Sequence, residues 1–387
     1  METNDSSEYG DLNFQVRDSD LECYNKLSNE TPIDDPIGYT YRRGEVFLIL
    51  IAWPLILILG VVGNTAFIYV VFRVERMRTI TNRYLANLAV SDVIFLVAAI
   101  GSKLVKYASS PFDQDDTYLG AAGCICLYFF TDLSYFASLF FITLTSLDRY
   151  VALCRPLDRN SAVNRKSKSL IIVSWIISCA FAASLTPANG NIEAYCHKWP
   201  NEKPYNHWPL TIRYCNAVYK WVSSFSTGLQ TVPFFVTLIV NSVLYLSIIR
   251  ELNRSMDFRY GRQQLSISME QKCRDFRARN QVVKMLVVNG VIFFVCLSPF
   301  ELMSFSLMVA ISNNNRLLIA NGDVRRCLFL FARILSYINS AINPLIYTGM
   351  CKPYKDAFRE AFCGKVKRKR PLVVRTSTLQ ETDVTGM

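Results

Sequence analysis

The residues of this sequence that could do chemistry are charged and amide side chains set inside long apolar runs. Asp92 closes the segment Asn87-Leu88-Ala89-Val90-Ser91-Asp92. A carboxylate at mid-membrane costs about 2.5–3.5 kcal/mol on insertion scales, so Asp92 requires packed polar partners or a wet cavity that holds a cation or water. Asp148-Arg149-Tyr150 ends another apolar run. Arg149 can simply snorkel to the interface, or Asp148 can pair with it and hold it in one state. A third group, Lys103, Lys106, Asp132, Glu301 and Arg333, carries both signs of charge. Asp132 precedes Asp148 by sixteen residues. That is about 24 Å along a helix, so the two lie at different depths. Each charge of the group can recognise a ligand or pair with another for structure alone. Bond-making chemistry has little to work with. The histidines are His197 and His207, and no phosphate-cradling glycine loop or metal-ligand spacing is visible. The chain does not read as an enzyme.

The apolar runs must position these side chains. They are Val46–Phe72, Tyr84–Lys103, Ala121–Leu147, Leu170–Leu185, Tyr219–Ile249, Val282–Ile311 and Cys327–Met350. About twenty apolar residues cross a hydrocarbon layer of about 30 Å. The expected fold is therefore all-α, a seven-transmembrane helix bundle; a soluble core would have to hide all seven runs. Pro233, Pro299 and Pro344 fall inside runs five, six and seven. Each frees a carbonyl and kinks its helix, which supplies a hinge. After the last run, Tyr354, Phe358 and Phe362 share one helical face. This predicts a short amphipathic helix on the inner leaflet, where Cys363 carries a palmitoyl chain or stays unmodified. The expected organisation is an extracellular segment over 1–45, a membrane domain over 46–350, and a cytoplasmic amphipathic helix and tail over 351–387.

Orientation follows from the loops. Lys and Arg crowd the segments after runs one, three and five and the tail, as in Arg73, Arg76 and Arg78 or Lys365, Lys367 and Arg368. These all lie on one side, which is expected to be cytoplasmic. Residues 1–45 hold eleven acidic and four basic side chains and would lie outside. The net charge of +11 is thus a topology signal that favours anionic lipid, not nucleic acid. No secretory signal is visible, so the first run is expected to act as its own insertion signal. Sequons at Asn4 and Asn29 are expected to be glycosylated, and the inner sequon at Asn253 is not.

Taken in order, Asn64, Asp92, Cys124, Asp148-Arg149-Tyr150, Trp175, Pro233, Pro299 and Asn343-Pro344 with Tyr347 resemble the rhodopsin-like (class A) G-protein-coupled receptors. The likeness covers about Val46–Cys363. It implies that Asp148, Arg149 and Tyr150 hold the resting state and then meet a G protein. It implies that Pro299, Asn343, Pro344 and Tyr347 rearrange on activation. It implies a sodium site at Asp92, Ser138, Asn339 and Asn343, the one cofactor-like group expected, with no other metal. It implies a disulfide from Cys124 to the second outer loop, with Cys196 the preferred partner, Cys215 the rival, and Cys23 left for the remaining cysteine. Two departures stand out. Leu297 occupies a position where the family usually has tryptophan, and Asn241 one where it usually has tyrosine. The asparagine resembles some invertebrate neuropeptide receptors, including the FMRFamide-receptor-like group. Arg279 stands where an acidic partner for Arg149 is often found, which speaks against an ionic lock there.

The resemblance also narrows the ligand. Biogenic-amine receptors carry an aspartate where this chain has Thr131, and opsins carry a lysine where it has Tyr337. Bound retinal is excluded, and an amine remains the alternative to a peptide. A transporter is a remote third reading, because no internal repeat is seen. The long loop from Pro187 to Val218, with Tyr195, Trp199, Tyr205, Trp208 and Tyr214, is expected to present a hairpin to a peptide. The expected ligand-binding residues are Lys103, Asp132, Glu301, Arg333 and Tyr337. A plasma-membrane receptor for a neuropeptide follows, coupled to heterotrimeric G proteins. Thr376, Ser377, Thr378, Thr382 and Thr385 in the tail would serve receptor kinases and arrestin.

Overall fold

The computed structural model describes residues 36–154, 162–203, 205, 208–260, 267–312 and 322–364. Its main helices are α1 (Arg43–Arg73), α2 (Ile80–Ser109), α3 (Gly120–Cys154), α4 (Ala162–Leu185), α5 (Lys220–Tyr260), α6 (Ile267–Ser312) and α7 (Gly322–Met350). A shorter helix, α8 (Lys352–Cys363), follows α7 after a break at Cys351. Each of the first seven contains a stretch long and apolar enough to cross a membrane. Strands β1 (Asn191–Cys196) and β2 (Thr211–Asn216) form an antiparallel hairpin between α4 and α5.

The bundle wears its apolar side chains outward. Leu55, Leu59 and Val62 on α1, Ile172 and Ile176 on α4, and Val236, Ile239 and Val243 on α5 are exposed. Its polar side chains turn inward: Asn64, Asp92, Asn241, Asn289, Glu301, Asn339 and Asn343 are all buried. That inversion is what a hydrocarbon surround demands, since no polar group can be satisfied from outside. Helix α3 is the central post and packs on α2, α4, α5 and α6. Gly60 allows α1 to close on its neighbours, because a β-carbon there would meet Leu96 and Ala341. Pro233, Pro299 and Pro344 all lie inside helices, as expected. In α8, Tyr354 and Ala357 are buried while Phe362 and Cys363 are exposed. Arg76 ties α8 to the turn after α1 through Glu360 at 3.1 Å.

The disulfide expectation needs correction. Cys124 is bonded to Cys215, with the Cα atoms 5.7 Å apart, and not to Cys196. Hairpin register explains why. Cys215 faces Ile192 at the root of the hairpin, whereas Cys196 faces Thr211. Cys196 stands four residues further out than Ile192, or about 13 Å at strand spacing, well beyond bridging reach of the top of α3. Cys196 is itself disulfide-bonded. The pairing expected of Cys23, the sequons at Asn4 and Asn29, and the tail residues Thr376 to Thr385 lie outside the described residues.

Non-reducing peptide mapping of the purified protein should recover a Cys124–Cys215 linked pair. Cys215→Ser should lower the melting temperature, by a loss of about 2–4 kcal/mol. Recovery of a Cys124–Cys196 pair would reject this register.

Candidate functional site

A cavity opens among α2, α3, α6 and α7 at the hairpin end of the bundle. Lys103 from α2, Asp132 from α3, Glu301 from α6, and Arg333 and Tyr337 from α7 all line it. The five residues expected to bind ligand are therefore brought to one place. Lys106 also lines it and pairs with Asp116 at 2.5 Å. Asp116 does a second job: its other carboxylate oxygen accepts the Cys215 backbone N–H at 3.1 Å. The α2–α3 connection is thus clamped to the hairpin root. Tyr118 at the cavity wall donates to the Ser102 carbonyl at 3.0 Å. Burial, then the nearby Asp116, push its phenol up to about 12, so it remains a donor at neutral pH. Tyr337 is held by an edge contact with Trp53, ring centres 6.0 Å apart.

The loop folds as the expected hairpin, and its aromatics lie outside the cavity lining. Tyr195, Trp199, Tyr205, Trp208 and Tyr214 are absent from the cavity lining. Trp199 stacks on Phe112 at 5.4 Å, Trp208 meets both edge-on, and Tyr39 packs against Trp199. Trp199, Tyr205, Trp208 and Tyr214 thus join Phe112 and Tyr39 in a small core of their own over the bundle end, while Tyr195 stays exposed beside Tyr214. A sequence can show that a loop is rich in rings, but not whether the rings face a ligand or each other. Arg326 fastens the same region. It makes two 2.6 Å bonds to Glu45 and a 3.3 Å bond to Asp113. No pattern in the sequence singled it out, since Glu45 and Asp113 lie in two segments far from it along the chain.

Beneath the cavity lies the Asp92 layer, and Ser138, Asn339 and Ser340 line the cavity floor. Asn343 Nδ2 donates to Asp92 at 2.7 Å. Ser91 and Ser138 share a hydrogen bond of 2.9 Å. Asn64 Nδ2 donates to the carbonyls of Gly60 and Ser340, each at 2.9 Å. Asn339 Oδ1 is buried without a partner. An anionic carboxylate, a hydroxyl and an orphaned amide oxygen are the hard donors a small cation takes, so Asp92, Ser138 and Asn339 fit sodium. Asn343 fits less directly, because it turns its nitrogen toward Asp92 and positions the carboxylate.

The opposite end holds the triplet. Asp148 pairs with Arg149 at 3.4 Å and accepts from Thr81 Oγ1 at 2.5 Å. Tyr150 packs at the margin of the main core. The side chain of Arg279 lies outside the described residues. Trp175 Nε1 donates to Asn87 at 2.9 Å and ties α4 to α2. Tyr347 is buried against Phe67, ring centres 4.9 Å apart. Asn241 Nδ2 donates to Thr143 on α3 at 2.8 Å. One helical turn further on, the Tyr245 hydroxyl accepts from Ser146 at 2.9 Å. That hydroxyl sits in a notch at Gly290 of α6, where an added β-carbon would collide with it. Tyr245 and Gly290 escaped the sequence reading. The available signal was a tyrosine four residues after Asn241 on the same helical face.

A family model described as "7 transmembrane receptor (rhodopsin family)" matches residues 63–347. Among curated relatives, the thyrotropin-releasing hormone receptor of Gallus gallus is 28% identical, covering 89% of this chain and 86% of its own. Somatostatin receptor type 2 of Mus musculus is 27% identical, covering 79% of this chain and 74% of its own. Neuromedin-U receptor 1 of Homo sapiens is 29% identical, covering 83% of this chain and 75% of its own.

The notch makes a prediction. Gly290→Ala should destabilise the purified protein by about 1–3 kcal/mol through overpacking. Adding Tyr245→Ala should recover part of that loss in thermal melts. Additive losses in the double variant would mean that the two sites do not touch.

Proposed function

The chain belongs to the rhodopsin family of seven-transmembrane receptors, and from that premise we propose that it is a plasma-membrane receptor for an extracellular neuropeptide. As a member of that family it is a G-protein-coupled receptor and not an enzyme. The observation that carries the peptide reading is the cavity with both signs of charge, Lys103 and Arg333 facing Asp132 and Glu301. The relatives support it, being named as receptors for thyrotropin-releasing hormone, somatostatin and neuromedin-U. An amine finds no carboxylate at Thr131, whose hydroxyl donates to the Leu127 carbonyl at 2.8 Å.

The hairpin end faces outward and the Asp148-Arg149-Tyr150 end faces the cytoplasm, in keeping with the Lys and Arg of the connecting segments. Peptide binds the pocket more tightly in the active arrangement, and only that difference can shift the equilibrium. Helix α6 pivots near Pro299, the Tyr245 notch opens, and Arg149 leaves Asp148 to meet the G protein. Asn343, Pro344 and Tyr347 repack around it. Asp92, Ser138 and Asn339 would hold a sodium ion, which would supply the positive charge that settles the Asp92 carboxylate in the resting arrangement. Exposed Phe362 and Cys363 on α8 suit the inner leaflet and a palmitoyl chain. Receptor kinases and arrestin act on the tail, and Asn4 and Asn29 carry glycans.

Expressing cells should give calcium and G-protein responses to a peptide group and not to biogenic amines. Arg149→Ala should abolish the response while leaving the receptor at the surface. A response to amines alone would reject the peptide reading. By linkage, coupled G protein should raise agonist affinity, and equal affinity with and without it would reject the mechanism.

Replacing choline with physiological sodium should raise the melting temperature of the purified receptor, and Asp92→Asn should remove that effect. A sodium response that survives in Asp92→Asn would place the ion elsewhere.

A further inference from the structure

The ligand pocket holds four ionisable side chains that form no ion pair among the described residues. Lys106 is taken by Asp116. Lys103, Asp132, Glu301 and Arg333 line the same cavity, and none of them makes a salt bridge among the described residues. They are sorted by wall. The two acids stand on α3 and α6, close enough to repel each other. The two bases stand on α2 and α7 and repel likewise.

They are also sorted by depth. Asp132 is six residues from Ser138, which hydrogen-bonds into the Asp92 layer; that is about 9 Å along α3. Lys103 is eleven residues beyond Asp92, about 16 Å along α2. Arg333 is ten residues before Asn343, about 15 Å along α7. Asp132 is therefore deep, Glu301 lies beside Tyr135 one turn further in on α3, and the bases lie nearer the hairpin. Glu301 is fully buried, and neither carboxylate oxygen has a hydrogen-bond partner. The hydroxyls of Tyr135 and Thr231 approach it without completing a bond, and Thr231 Oγ1 is itself unpartnered.

A buried charge without a partner is expensive, and two like charges side by side are more so. A cavity that keeps both pairs, on opposite walls, is preorganised for an occupant that brings the opposite arrangement. We propose that the ligand is dipolar: a guanidinium or ammonium group enters between Asp132 and Glu301, and a carboxylate of the same molecule meets Lys103 and Arg333. This rests on the peptide-receptor reading and narrows it. In a peptide the cation is an arginine or lysine side chain. The carboxylate is a free C-terminus or a neighbouring acidic side chain. An extended arginine sets its guanidinium roughly 7 Å from its own carboxyl carbon, the same as the depth difference between the two charge pairs. A simple amine leaves both bases unpaired, and a purely acidic ligand leaves both acids unpaired.

The test is thermal denaturation of the full-length receptor in phospholipid nanodiscs with four probes. Nα-acetylarginine carries the cation and a terminal carboxylate. Acetyl-glutamyl-arginine amide carries the cation and a side-chain carboxylate. Nα-acetylarginine methylamide carries the cation alone, and Nα-acetylcitrulline the carboxylate alone. At saturation, at least one of the two dipolar probes should raise Tm by about 2–4 °C, and the singly charged probes by less than about half of that. Which dipolar probe acts assigns the carboxylate to the C-terminus or to a side chain. Glu301→Gln should erase the preference for arginine over citrulline, and Lys103→Gln the preference for acid over amide. A methylamide shift equal to that of the dipolar probes, no shift with any probe, or both preferences intact in the variants would overturn the proposal. A calcium screen with synthetic peptides separates this from its parent reading. Activation by peptides lacking one of the charges keeps the peptide receptor and rejects the dipolar ligand, and activation by amines alone rejects both.

Discussion

The structure depends on one constraint: a helix surface facing hydrocarbon can satisfy no polar group, so every polar side chain must be settled inside the bundle. With that, the positions of the functional residues stop being arbitrary. Asp92, Asn343, Asn64, Ser91 and Ser138 are interior because they have nowhere else to go, and once interior Asn343 bonds Asp92, Ser91 bonds Ser138, and Asn64 bonds the Ser340 carbonyl. The resulting seam joins α1, α2, α3 and α7. It holds the bundle by directional bonds where apolar contact alone, equally available from lipid, offers little preference for one packing.

The same seam connects the pocket to the other end. Ser138, Asn339 and Ser340 belong both to the cavity floor and to the Asp92 layer. An occupant that shifts α7 at Arg333 therefore moves residues that share bonds with α1 and α2. Below the seam, Tyr347 against Phe67, Tyr245 with Gly290, and Thr81 with Asp148 each hold one helix against another through a close contact. A few discrete contacts of this kind suit an element with two arrangements better than a continuous packed face would.

At the hairpin end the protein spends its remaining charges on structure. Asp116 binds Lys106 and the Cys215 backbone, and Arg326 gathers Glu45 and Asp113. With the Cys124–Cys215 bond and the aromatic core around Trp199, they brace the rim of the cavity. Lys103, Asp132, Glu301 and Arg333 face the cavity instead, and among the described residues they form no ion pair.

Much of this was legible in the order of residues. Seven apolar runs, the proline positions and the amphipathic face of Tyr354, Phe358 and Phe362 define the architecture, because span length and periodicity are local properties. The motif residues at Asp92, Asp148-Arg149-Tyr150 and Asn343-Pro344 were equally plain. So was the set Lys103, Asp132, Glu301, Arg333 and Tyr337, since a charge inside a span is conspicuous wherever it points. What only the tertiary structure decided is which of these groups meet. Cys215 displaced Cys196 as partner of Cys124 because hairpin register, not distance along the chain, sets reach. Lys106 was neutralised and Lys103 was not, although they sit three residues apart. The loop aromatics turned to each other, and Tyr245 found a notch at a glycine on another helix. Those outcomes depend on the rotation and spacing of packed helices. Such long-range geometry is fixed by the sum of many side-chain contacts, and no short stretch of sequence carries it.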